Sequence, residues 1–149
     1  MTYLIKFFFI IMISNYSFAN ENLSNQILFK INNKVFTNID LAERKKYITL
    51  INNFIKSEFS ESENNEIIDD YISSLIFNEY YIQNKIVLEN LNDEIDIIYK
   101  KNFKERKGSS QEEIKSFKFN IKIDLIRNKI IQKKLNLKKK KLLQDTNKL

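Results

Sequence analysis

A chain of 149 residues without a single histidine or cysteine has lost the commonest general base, the commonest metal ligand, all thiolate chemistry and any disulfide. His-dependent triads are excluded with them, and neither a catalytic residue, a metal site nor a cofactor is expected. The net charge of +6 is unevenly placed: seven lysines against one aspartate fall in residues 133–149, while residues 20–132 carry 17 basic and 18 acidic groups. Nucleic acid is not the expected partner of that basic end, because arginine, the bidentate phosphate reader, occurs only at Arg44, Arg106 and Arg127.

The first element is an export signal. Lys6 supplies a positive start, residues 7–13 (F-F-F-I-I-M-I) an apolar stretch, and Ser17-Phe18-Ala19 a small-x-small cleavage pattern, so the mature chain is expected to begin by cleavage between Ala19 and Asn20. The apolar stretch falls short of the roughly 20 residues that span a bilayer. Asparagine rather than cysteine follows the cleavage site, which argues against lipid attachment there. In a Gram-negative cell such a signal leads to the periplasm.

Beyond the signal, residues 26–31 (Q-I-L-F-K-I) and 34–36 (K-V-F) flank Asn32-Asn33, a pair suited to the left-handed conformations of a tight turn, and predict a hairpin. Two short strands alone are marginal, so the hairpin must pack on something else. Thr37 as N-cap and Asp40 in the first turn open a helix whose stripe runs through Leu41, Tyr47, Ile48, Ile51, Phe54 and Ile55. Residues 57–65, where serine alternates with glutamate, read as a loop. A second helix over residues 66–85 is the most apolar and reads as the central one.

Asn92-Asp93-Glu94 caps a third helix carrying Ile95, Ile98, Tyr99 and Phe103. After a charged turn containing Gly108, Ser110-x-x-Glu113 fits a capping box. Residues 117–125 alternate as F-K-F-N-I-K-I-D-L, which suits a strand. Helical spacing through Ile114, Phe117, Ile121, Leu125 and Ile131 fits too, with Asn128 as the polar exception. The capping box before it and the helix-forming run after it favour helix, with a break expected, if anywhere, near Phe119-Asn120.

These elements in order, from I-L-F-K-I-N-N-K-V-F-T-N-I-D-L-A through the apolar helix, N-D-E-I-D and the Ser-capped helix to L-I-R-N-K-I-I, resemble the N-terminal chaperone domain of SurA-type periplasmic proteins. The resemblance covers roughly residues 26–137. It implies a helical domain that binds unfolded outer-membrane polypeptides during outer-membrane protein assembly. In that family the domain precedes parvulin-type prolyl isomerase domains, whereas 12 residues follow Leu137 here, so no isomerase domain and no isomerase activity are expected. The family's domain is also completed by a C-terminal segment, which here falls on residues 133–149 or on a second molecule.

The expected fold is therefore mainly α, a small N-terminal β-hairpin followed by about four to five helices. Residues 1–19 form the signal peptide, 20–137 the helical chaperone domain and 138–149 a basic C-terminal tail. The expected function is ATP-independent holdase binding of unfolded polypeptides in the periplasm. The alternative is a non-catalytic structural subunit or accessory that pairs with one dedicated envelope partner or, as a homodimer, with itself. Thirteen aromatic residues remain after the signal, and Phe54, Phe59, Phe77 and Tyr81 are the candidate client anchors. Lys138, Lys139, Lys140 and Lys141 form an electrostatic tail suited to a membrane surface or acidic clients.

Overall fold

The Asn32-Asn33 turn joins β1 (Ile27–Ile31) to β2 (Lys34–Thr37) in an antiparallel pair, with Asn32 in the left-handed region at φ 52°. Four helices follow: α1 (Asn38–Ile51), α2 (Glu61–Gln83), α3 (Leu91–Phe103) and α4 (Gln111–Thr146). The computed structural model describes residues 25–53, 58–103 and 109–146. The expected signal segment, with Ala19 and Asn20, and Phe54 lie outside the described residues. The mainly helical fold with a leading hairpin is as the sequence predicts.

Helix starts are set by one device used three times. At α1, Asp40 N–H donates to Thr37 Oγ1 while Thr37 N–H donates to the Asp40 carboxylate at 2.8 Å. Ser110 and Glu113 exchange the same pair of bonds at 3.0 and 3.1 Å, as expected for α4. Ser60 and Glu63 do so at α2, with 2.8 and 3.3 Å. Each box satisfies two amides that a helix start would otherwise leave unbonded. The third shortens the expected loop: residues 58–60 are irregular as expected, but residues 61–65 are helical, so α2 begins at Glu61. Likewise α3 begins at Leu91, one residue before the expected cap, with Asn90 at φ 57° leading into it.

With glycine almost absent from the sequence, asparagine supplies most left-handed positions among the described residues: Asn32, Asn53 and Asn90 have positive φ, as does Lys85. After α2, Lys85 N–H bonds to Ile82 O at 3.2 Å and Ile86 N–H to Tyr81 O at 3.1 Å, the paired bonds of a Schellman ending.

Two apolar clusters form the core. One joins α1, α3 and α4 through Tyr47, Leu91, Ile95, Phe103, Phe117, Ile121, Ile126 and Ile130. The other seats the hairpin: Phe36 packs with Tyr71, Leu75 and Ile123, and the Phe29 ring stacks on Phe36 at 5.1 Å and meets Tyr71 edge-on at 6.2 Å. A register shift between Ile27 and Phe29 turns Ile27 outward and leaves it exposed.

The central helix is α4, not α2. It packs on α1, α2 and α3, and Ile123 and Ile126 are wholly buried, whereas Ile76, Tyr80 and Ile82 of α2 are exposed. Overall apolarity pointed to α2, but centrality follows from how many sides are covered. α4 is continuous: no break near Phe119-Asn120 is present, and its helix runs through residues 138–146. The described part of the basic segment is thus the end of a 36-residue helix. At 1.5 Å per residue α4 is about 54 Å long. No helix among the described residues is long and apolar enough to cross a membrane.

Candidate functional site

Between the two clusters lies a buried charged hub that no apolar pattern would build. Arg44 of α1 is 1% exposed, with its guanidinium carbon 5.0 Å from the Tyr47 ring centre and 5.5 Å from that of Tyr71. It donates to Asp124 Oδ1 at 2.8 Å, to Asn120 Oδ1 at 3.2 Å, and to Asp70 Oδ2. Arg127 donates to Asp70 Oδ1 at 2.6 Å and to the Asp70 carbonyl at 3.0 Å, and Ser74 Oγ donates to Asp124 at 2.8 Å. Two arginines thus face two aspartates across α1, α2 and α4.

The titration behaviour of the hub follows from these contacts. Burial works against ionised Asp70, but hydrogen bonds from Arg44 and Arg127 outweigh it and hold the carboxyl below its usual range. Burial likewise opposes the Arg44 charge, and Asp124 and Asp70 more than restore it. Burial, then the nearby Asp124, pushes Tyr47 well above the ordinary phenol range, and burial pushes Tyr71 up to about 12. Both carboxylates of the hub, Asp70 and Asp124, face both arginines. Its consequence is structural: three helices are pinned in register.

Acid should therefore loosen the fold through this hub. A carboxyl depressed in the folded state takes up its proton more readily when unfolded, so its stabilisation is full above about pH 4 and is lost as pH falls through the depressed folded value. In urea titrations between about pH 5 and pH 2 the wild-type midpoint should fall with acid, and Asp70→Asn should fall less steeply. Equal slopes would show that Asp70 does not carry the acid limb.

The second feature is an apolar groove where the end of α2 meets α4. Its cavity, about 260 Å³, is lined by Tyr80, Ile86, Ile130, Lys133, Lys134 and Leu137. Local sequence builds it: the left-handed Lys85 turns the chain back, which brings Ile86 beside Tyr80 on the preceding turn. Lys134 Nζ lies 5.1 Å from the centre of the exposed Tyr80 ring, a cation–π contact at the rim. A larger hollow of about 440 Å³ between hairpin, α1 and α4 is lined by charges of both signs, Asp40, Glu43 and Lys115, beside Phe36 and Phe119.

The candidate anchors do not form one surface. Phe77 and Tyr81 are half-buried and pack against the α1–α3–α4 cluster. Phe59 is half-buried with Lys45 Nζ 5.7 Å from its ring centre. The exposed aromatic of this region is Tyr80, one residue from Tyr81 and therefore about 100° around the helix. Lys138, Lys139 and Lys140 are exposed on α4, and the helix backbone continues through Lys141. Sequence reading missed both the hub and the groove, although Arg44 sits in the middle of its helix's apolar stripe, which is a usable signal. Among the described residues no group of three or more acidic side chains is placed to hold a metal ion.

No family model, curated protein or solved structure matches the chain.

Proposed function

We propose that the mature chain is an ATP-independent holdase of the cell envelope that captures apolar segments of unfolded polypeptides, outer-membrane chains among them. The observation that carries this reading is the groove of Tyr80, Ile86, Ile130 and Leu137 beneath a lysine rim. Its volume lies just under the roughly 300–1,000 Å³ of small-molecule pockets, which suits one or two client side chains rather than a cofactor. Apolar burial of this kind needs no nucleotide and is not screened by salt. The hairpin-then-helices architecture and the resemblance to SurA-type chaperone domains support the same reading, as does a hub whose carboxylates are all neutralised.

The alternative, a non-catalytic subunit pairing with one dedicated envelope partner or with itself, is favoured by one observation. Ile131 and Leu135 of α4, four residues apart on one helix face, are 38% and 61% exposed, a stripe that one matching helix would cover. Breadth separates the two. The mature protein, at a severalfold molar excess, should suppress aggregation of an unfolded outer-membrane protein and of unrelated unfolded chains alike, without ATP. Tyr80→Ser with Leu137→Ser, both surface positions, should weaken that suppression severalfold while leaving the urea midpoint within about 1 kcal/mol of wild type. Suppression of one chain alone, or of none, would remove the holdase reading in favour of the dedicated subunit.

A further inference from the structure

We infer that the exposed C-terminal part of α4 is a docking helix for an anionic lipid surface. Past Ile130, every residue from 131 to 140 is exposed. From residue 125 to residue 144 the sequence holds no acidic group, and residues 133, 134 and 138–141 are all lysine. Because residues 20–132 are nearly neutral, the positive field of the molecule is concentrated on this one rod.

An apolar contact accompanies the charge. Exposed Ile131 and Leu135 are four residues apart and so lie on one helix face; Lys138 and Lys139, three and four residues beyond Leu135, continue it. Such a face sets apolar side chains into the headgroup–acyl boundary while lysine stems reach back to the phosphates. Lys133 and Lys134 stand about 100° apart and Lys138 to Lys140 sweep about 200° around the axis. One acidic partner helix would meet only a few of them, whereas headgroups surround the sides of a helix lying in the interface. Binding is to the surface, since no described helix is apolar enough to span.

Vesicle partition of the full chain tests this. The N-terminal segment, Lys6 and the apolar residues 7–13, is common to the wild type and every variant, so the change in preference between them reads α4. A lysine near an anionic leaflet strengthens binding by up to about fivefold, so two or three engaged lysines should favour phosphatidylglycerol-containing over pure phosphatidylcholine vesicles by about tenfold or more. That preference should collapse near 0.5 M salt, where the Debye length shrinks to about 4 Å. Lys→Gln at positions 133, 134 and 138–141 should remove most of it. Should that variant misfold, Lys138→Gln with Lys139→Gln and Lys140→Gln should still reduce it severalfold, while Leu135→Ser should weaken binding to both vesicle types. Equal binding to both vesicle types, a preference that the glutamine variants leave unchanged, or capture of polyglutamate without any gain on anionic vesicles would each overturn the inference.

Discussion

Replacing Arg44 by methionine should destabilise the fold by about 3 kcal/mol, read as a drop in urea midpoint at neutral pH. Methionine fills similar volume, so the loss is electrostatic rather than a cavity. Asp124, 19% exposed, would keep Ser74 and a 3.6 Å contact with Arg127 but lose its 2.8 Å bond to the guanidinium. Removing one partner of a buried pair costs about 3–5 kcal/mol, because the other charge stays out of water. The low end applies here: Arg127 still holds Asp70, and Asp70, at 37% exposure, can rehydrate. Arg44→Lys should rescue little, since one ammonium does not match three acceptors spread over two helices. Combining Arg44→Met with Asp124→Leu should cost less than the two single changes together, the signature of a direct coupling. A midpoint unchanged in Arg44→Met would mean that the hub contributes nothing and that the apolar clusters alone hold α1 to α4.

That hub marks where sequence reading of this chain stops. The hairpin, the cap at Thr37 and the box at Ser110 were legible because each is local: two to four neighbouring residues determine it. The start of α2 was equally local but hidden, since Ser60-x-x-Glu63 sits in a run of alternating serines and glutamates that also fits a solvated loop. Arg44 falls three residues after Leu41 and three before Tyr47, on the apolar stripe, and Asp124 falls three after Ile121 on another. A charge on a buried stripe is costly alone and tolerable only when paired. Two opposite charges so placed on different helices therefore indicate a contact, but periodicity within one helix does not say which helix brings the partner. The groove was less legible still: it depends on where α2 stops against α4, and that is set by the turn at Lys85 and by the unbroken length of α4. Of the expected anchors on α2, Phe77 and Tyr81 are half-buried against the core, while the neighbouring Tyr80 is exposed.

Substituting Phe117 should be among the most damaging single changes, and its contrast with Phe119 settles how residues 117–125 are built. Phe117 is 4% exposed, with its ring centre 4.5 Å from that of Phe103 and 5.3 Å from that of Tyr47, so it ties α1, α3 and α4 together. Phe117→Ala removes those contacts and leaves a void the helices close only in part, a loss of about 3–5 kcal/mol out of a total stability of roughly 5–15. Phe119, 37% exposed, should tolerate alanine within about 1 kcal/mol. In a strand the two rings would share a face, being two residues apart, and would suffer comparable losses. In the α4 helix they stand about 200° apart, and the losses should differ by several-fold. Near-ultraviolet dichroism gives an independent readout, because Tyr47 and Tyr99 both pack edge-on to Phe117 and should lose their fixed environments in the Phe117 variant alone. Similar midpoints for Phe117→Ala and Phe119→Ala would overturn both the continuous helix and the placement of Phe117 at the junction of the three helices.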